Sequence, residues 1–245
     1  MFAYGKTHNG RLRATNEDRF ICLKAGRFCA MAIADGMGGH NAGEVASKIA
    51  VDEIESYFLA NPSIKGSLFD ISTDIEKLIQ TINTKIHEKS IDIIEQQGMG
   101  TTLILCVAEN NIANIYHIGD CRAYFYNGQF LRQITKDHSL VQLLIDQGQL
   151  TKREAENHPR KNVITRALGT DEEVDVDIYT VVLSAGEKIM LCSDGLSNMV
   201  DTTTIQKVLS SMGALEAIDE LVDLANANGG LDNITVTIQE MEEAV

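Results

Sequence analysis

Four aspartates occupy a repeated context in this 245-residue chain. Asp35 follows the apolar run FCAMAIA and precedes Gly36-Met37-Gly38-Gly39. Asp120 follows IANIYHIG, and Asp194 follows KIMLCS and precedes Gly195. Asp232 stands in Gly229-Gly230-Leu231-Asp232-Asn233, just ahead of ITVTI. Apolar runs of this kind read as strands, so the four carboxylates stand at strand tips and converge if those strands are neighbours. Converging carboxylates repel and raise one another's pKa unless a cation neutralises them. Oxygen donors without Cys or His favour a hard cation, Mg²⁺ or Mn²⁺, over Zn²⁺. The glycines beside Asp35 and Asp194 let the backbone approach an ion, and Gly36 could lend its carbonyl. Taken singly, Asp-Gly reads as a turn, and among 35 acidic residues one example carries little. The signal lies in the joint pattern.

Other chemistries lack support. Gly5-Lys6-Thr7 has no upstream glycine or strand to make a phosphate loop, and Asn41 stands where a dinucleotide fingerprint needs its third glycine. His87-Glu88 has Ile91 where a zinc-binding pair needs its second His, and Ser193 lacks the glycine two residues upstream that a nucleophile elbow requires. A cysteine phosphatase needs an Arg six residues after its Cys; Phe28, Asp35, Ile112, Asn127 and Asn198 hold those places. The five cysteines (Cys22, Cys29, Cys106, Cys121 and Cys192) are odd in number, without Cys-x-x-Cys spacing and mostly within apolar stretches. They read as reduced, packed thiols rather than disulfides or a zinc site.

The elements that must hold the aspartates follow from periodicity. Residues 19–24 and 27–34 are strand-like around a Gly26 turn. Val45, Ile49, Ile54 and Phe58, then Ile71, Ile75, Leu78, Ile79, Ile82 and Ile86, recur at helical spacing. Residues 101–108 and 112–118 read as a hairpin, and 123–126 with 129–134 as a second, closed by Asn127-Gly128. A polar helical stretch covers 138–162. Strands resume with the alternating Val174, Val176 and Ile178 and with 189–192. Helices over about 203–212 and 214–228 precede a last strand, 234–239. Strands and helices come in blocks, which predicts an α+β fold with antiparallel sheets whose outer faces are covered by helix pairs. With 44% hydrophobic and 23% charged residues the composition is that of one globular domain spanning residues 1–245. A net charge of −14 leaves no electrostatic footprint for nucleic acid or an anionic membrane. Apolar runs of about seven residues fall far short of the ~18 of a spanning helix, and no secretory signal is visible at the N-terminus. The expectation is a soluble, cytoplasmic monomer.

The sequence resembles the bacterial members of the metal-dependent PPM/PP2C family of protein serine/threonine phosphatases. The matching segments run in family order from residue 13 to 235: Arg13 with Asn16-Glu17-Asp18; Ala34-Asp35-Gly36-Met37-Gly38-Gly39-His40 with Gly43-Glu44-Val45-Ala46-Ser47; Gly98-Met99-Gly100-Thr101-Thr102; His117-Ile118-Gly119-Asp120-Cys121-Arg122; Thr135 with Asp137-His138-Ser139-Leu140-Val141; Ile164-Thr165-Arg166-Ala167-Leu168-Gly169; Ser193-Asp194-Gly195-Leu196; and Asp232-Asn233-Ile234-Thr235. The resemblance implies a β-sandwich of two antiparallel sheets flanked by helix pairs, with the metals at one end and a flap over about 138–166. It implies that Asp35 bridges two Mn²⁺ or Mg²⁺ ions, that Gly36 adds its carbonyl, and that Asp194 and Asp232 complete the first site. Asp120 with Asp194 would hold a third, weaker ion. Glu17 and Asp18 would act on the second metal directly or through its waters, and Arg13 would grip the substrate phosphate. His40 is a candidate general acid, although relatives from animals carry a His directly after Asp-Gly, where Met37 stands here.

The implied reaction is hydrolysis of phosphoserine and phosphothreonine on proteins by a metal-bridging water, opposing a Ser/Thr kinase. Two ions can stabilise both the entering and the leaving oxygen, and a guanidinium fork suits two phosphate oxygens. Two alternatives are a catalytically silent phosphoprotein-binding module, which a substitution at Asp35, Asp194 or Asp232 would mark, and a phosphatase for small phosphoesters.

Overall fold

A computed structural model describes residues 2–39, 42–61, 64, 66–93 and 96–241. Among the described residues eleven strands form two sheets. The first has the order β1 (Phe2–His8), β11 (Ile234–Glu240), β10 (Lys188–Cys192), β7 (Arg122–Tyr126), β8 (Leu131–Gln133). The second runs β2 (Asp18–Ala25), β3 (Phe28–Met37), β5 (Leu103–Glu109), β6 (Ile112–Ile118), β9 (Asp177–Val182), with the short β4 (Gly100–Thr101) beside β3. All pairings are antiparallel. Helices α1 (Ala42–Ala60) and α2 (Leu68–Asp92) cover the second sheet; α6 (Thr202–Ser211) and α7 (Ala214–Ala227) cover the first. The predicted sandwich flanked by helix pairs is the fold observed.

The layering explains the continuous apolar runs. In β3, Phe28, Ala30, Ala32 and Ala34 face α1 and α2, while Met31 and Ile33 face the other sheet. In β10, Met190 and Cys192 face α6 and α7, while Ile189 and Leu191 point between the sheets. A strand covered on both sides loses the polar half of the usual alternation. Strand β11 differs: Ile234, Val236 and Ile238 pack on the helices, but Thr235, Thr237 and Gln239 are buried polar residues on the inner side.

Two local expectations change, one helical stretch divides into shorter helices, and one strand is new. The 123–134 hairpin closes through residues 127–130 rather than through Asn127-Gly128 alone, since Tyr126 pairs with Leu131. Asn127 keeps a negative φ and its Oδ1 accepts from the Gln129 and Phe130 amides. Val174 and Val176 precede the strand, which begins at Asp177; their alternation serves packing on α2, where Gln80 Nε2 donates to the Val174 carbonyl at 2.6 Å. The polar stretch 138–162 contains two short helices, α3 (Leu140–Asp146) and α4 (Lys152–Glu156). Strand β1 was not legible, because its mixed sequence FAYGKTH becomes a strand only beside β11. The five cysteines are free and four are buried.

Candidate active site

The acids named from the sequence gather at one end of the sandwich. Asp18 opens β2 and pairs directly with Asp35 near the end of β3. Asp120 follows β6. Asp194 opens α5 (Asp194–Ser197) just after β10, and Asp232 precedes β11 by two residues. Since β10 and β11 are antiparallel neighbours with Cys192 opposite Val236, their two acids emerge side by side. Asp18 and Asp120 are buried, whereas Asp35, Asp194 and Asp232 are half-buried.

The electrostatics record the convergence. Loss of solvent, then the facing charges of Asp18, Asp194, Asp120 and Asp232, pushes Asp35 well above the ordinary carboxylate range. Burial, then Asp194 and Asp137, pushes Asp120 up to about 7 against the attraction of Arg122. Burial and the facing Asp232 push Asp194 up to about 6. Asp18 also rises to about 6, driven by burial and held down by hydrogen bonds from Thr235 and Ser193. Glu17, lifted by burial and opposed by Arg13, borders the group.

Five acids held against their own repulsion fit a hard cation. Asp18 Oδ1 and Asp120 Oδ1 are buried without a hydrogen-bond partner, which is costly unless a cation or water meets them. Among the described residues no three Asp, Glu, His or Cys side chains close into a preformed chelate. Gly36 and Gly43 meet back to back: a Cβ on Gly36 would collide with the Gly43 carbonyl, and one on Gly43 would lie 2.8 Å from the Met37 nitrogen. The start of α1 is thereby drawn onto the end of β3 beside Asp35.

Several residues without an assigned role complete the site. Ser193 Oγ and Thr235 Oγ1 both donate to Asp18 Oδ2, at 2.8 and 2.6 Å, leaving Oδ1 free. Thr102 Oγ1 accepts from the Asp35 amide at 3.0 Å and touches Cys121 Sγ at 3.1 Å. The Asn233 amide holds the loop that carries Arg13, whose Nη2 donates to Asp232 Oδ2 at 2.8 Å. The available signal was adjacency, since Ser193 and Asn233 each stand next to a site aspartate. His40 lies outside the described residues.

The 138–166 segment is tied at its feet near Asp120. His138 Nδ1 accepts from the Gly119 amide at 3.0 Å, and the His138 amide donates to the Gly119 carbonyl at 2.8 Å. His138 Nε2 meets Asp177 Oδ2 at 3.2 Å, and Arg166 reaches Asp177 Oδ1 at 2.7 Å. His117 stacks on His138, ring centroids 4.6 Å apart; burial, then His138, holds it neutral, pushed down to about 3. A cavity of about 710 Å³ lined by Phe2, Tyr4, Leu215 and Glu240 lies elsewhere, at the opposite end of β11.

The family profile described as Protein phosphatase 2C matches residues 5–233, a span that holds Glu17, Asp18, Asp35, Asp120, Asp194 and Asp232. The chain belongs to the protein phosphatase 2C family. It is similar to the serine/threonine phosphatase Stp of Listeria monocytogenes, 38% identical over 244 residues covering 99% of this chain and 96% of that protein. Among solved structures it matches the S. agalactiae serine/threonine phosphatase at TM-score 0.92 and 34% identity, covering 98% of this chain and 99% of the other. It also matches the catalytic domain of the phosphatase PstP in complex with two manganese ions, at TM-score 0.86 and 34% identity, with 98% of each chain covered. Metal dependence is general to the protein phosphatase 2C family, and the all-oxygen cluster here is of the kind that chemistry uses. No helix among the described residues is long and apolar enough to cross a membrane.

Proposed function

We propose that this protein hydrolyses phosphoserine and phosphothreonine on proteins, using divalent cations held by Asp35, the Gly36 carbonyl, Asp194 and Asp232, with Asp120 and Asp194 at a third, weaker position. The observation that carries the reading is the convergence of five strand-end acids with orphaned carboxylate oxygens on Asp18 and Asp120, in a chain of this family. Bound there, the ions supply charge neutralisation and a nucleophilic water at neutral pH. The protein's own work is positioning. Arg13, exposed at the rim, offers its guanidinium fork to two phosphate oxygens. Ser193 and Thr235 fix Asp18 so that its free oxygen faces inward, with Glu17 beside it. Phosphoryl transfer asks for alignment and charge compensation rather than a covalent intermediate, which agrees with the absence of a Ser or Cys nucleophile motif. The substrates are phosphorylated proteins, a cognate Ser/Thr kinase and its targets, met in the cytoplasm by a monomer. The ions are Mn²⁺ or Mg²⁺.

The test is phosphate release from a phosphothreonine peptide with Mn²⁺, for wild type, Asp194→Ala and wild type with chelator. Loss of turnover by at least roughly 100-fold in both altered cases supports the reading. Turnover that survives chelation overturns it. Preference for a small phosphoester over every phosphopeptide would move the protein to the other substrate class.

A further inference from the structure

Residues 9–17 leave β1 after His8, carry Arg13 at their apex and enter β2 at Asp18. This loop docks on residues 230–233 at two places. The Arg11 and Leu12 amides donate to the Gly230 carbonyl at 2.7 and 3.3 Å. The second place is one side chain, Asn233, only 5% exposed. Its Nδ2 donates to the Asn9 carbonyl at 3.0 Å and the Thr15 carbonyl at 2.9 Å, and its Oδ1 accepts from the Glu17 amide at 2.8 Å. Two carbonyls and one N–H admit only this orientation of the amide. The bonds reach both limbs of the loop, so one residue closes it on either side of Arg13. The Asn233 backbone N–H donates to Asp232 Oδ1 at 2.8 Å, while Arg13 meets Asp232 Oδ2. The guanidinium is thus delivered over the carboxylate cluster from a base that the cluster's own strand holds.

We infer that Asn233 is a positioning residue for phosphate recognition: its amide ties both limbs of the 9–17 loop and so sets the reach of Arg13 over the carboxylates. The inference rests on the reading of Arg13 as the phosphate ligand. No other side chain of similar size serves. Asp offers no donor to the two carbonyls, and Ser is too short to bridge both limbs.

The test is a double-mutant cycle of Asn233→Ala and Arg13→Ala, read as kcat and KM for a phosphothreonine peptide at saturating Mn²⁺. Mn²⁺ affinity by calorimetry and Tm are measured on the same proteins. Asn233→Ala is expected to raise KM roughly tenfold and to change kcat by less than about threefold. It should leave Mn²⁺ affinity within about threefold and add little once Arg13 is already Ala. Effects that multiply across the cycle overturn the inference, as does a tenfold loss of Mn²⁺ affinity, which would place the action of Asn233 on Asp232. A rise in KM for Arg13→Ala without one for Asn233→Ala overturns the inference alone. No change in KM for Arg13→Ala removes the phosphate reading as well. If Asn233→Ala does not fold, Asn233→Ser enters the same cycle, because it keeps a polar group while losing the bridge.

Discussion

Asp18 shows how neighbours decide what a buried carboxylate can do. Burial and the facing acids favour its protonated form, and the hydroxyls of Ser193 and Thr235 oppose that shift by donating to Oδ2. The same pair fixes the rotamer and leaves Oδ1 as the oxygen available to a cation or its water. Thr235→Val keeps the branched shape that β11 needs but deletes one donor to a charged group, worth about 1.5–3 kcal/mol. Roughly tenfold weaker Mn²⁺ binding is expected in calorimetry at pH 7, with little change in the far-UV spectrum. An unchanged affinity would assign the hydroxyl to packing instead. Ser193 and Thr235 lie 175 and 217 positions from Asp18, so no local pattern announces the contact, although both stand near acids that do stand out.

The elements are placed by close approach as much as by area. Helix α1 reaches β3 because Gly43 in its first turn meets Gly36 without side chains between them. In an open helix Gly→Ala gains up to about 1 kcal/mol. At Gly43 the new Cβ would lie 2.7 to 2.9 Å from the Gly36 and Met37 backbone, so it must push the helix away from the strand that carries Asp35. Gly43→Ala is expected to destabilise by about 2 kcal/mol, in the range of overpacked sites. That corresponds to a Tm lower by roughly 5 °C for a chain of this size, and calorimetric or fluorescence melting would read it. A Tm equal to or above wild type would show that α1 can shift without strain. The pairing of apolar spacing with glycine at 36 and 43 was visible in the sequence; that the two glycines touch was not.

Across the molecule the αββα layering brings the ends of two sheets together, and the acids there make folding and metal binding one problem. Asp18 and Asp194 lie at about 6 and Asp120 at about 7 when folded, against an ordinary 3.8. Between about pH 4 and 7 the folded state therefore binds protons that the unfolded chain has released. Linkage makes the metal-free protein less stable as pH rises through that window. Chelator-treated protein is expected to melt at a lower temperature at pH 8 than at pH 5.5. Saturating Mn²⁺ should raise Tm more at pH 8, because the ions replace the protons. A metal-free Tm that climbs over this range would contradict the convergence of the acids. The order of the strands and helices after β1, the acids at strand tips and the hard-cation chemistry were written locally, in apolar runs and the residues ending them. The tertiary structure alone supplied β1, the loop of residues 127–130 and the packing of Val174 and Val176 on α2. It also supplied the hydroxyl pair on Asp18 and the Asn233 knot. Each of these depends on partners distant in sequence or on the geometry of a closed turn. Periodicity reports which face of an element is buried, but not which residue waits on the other side.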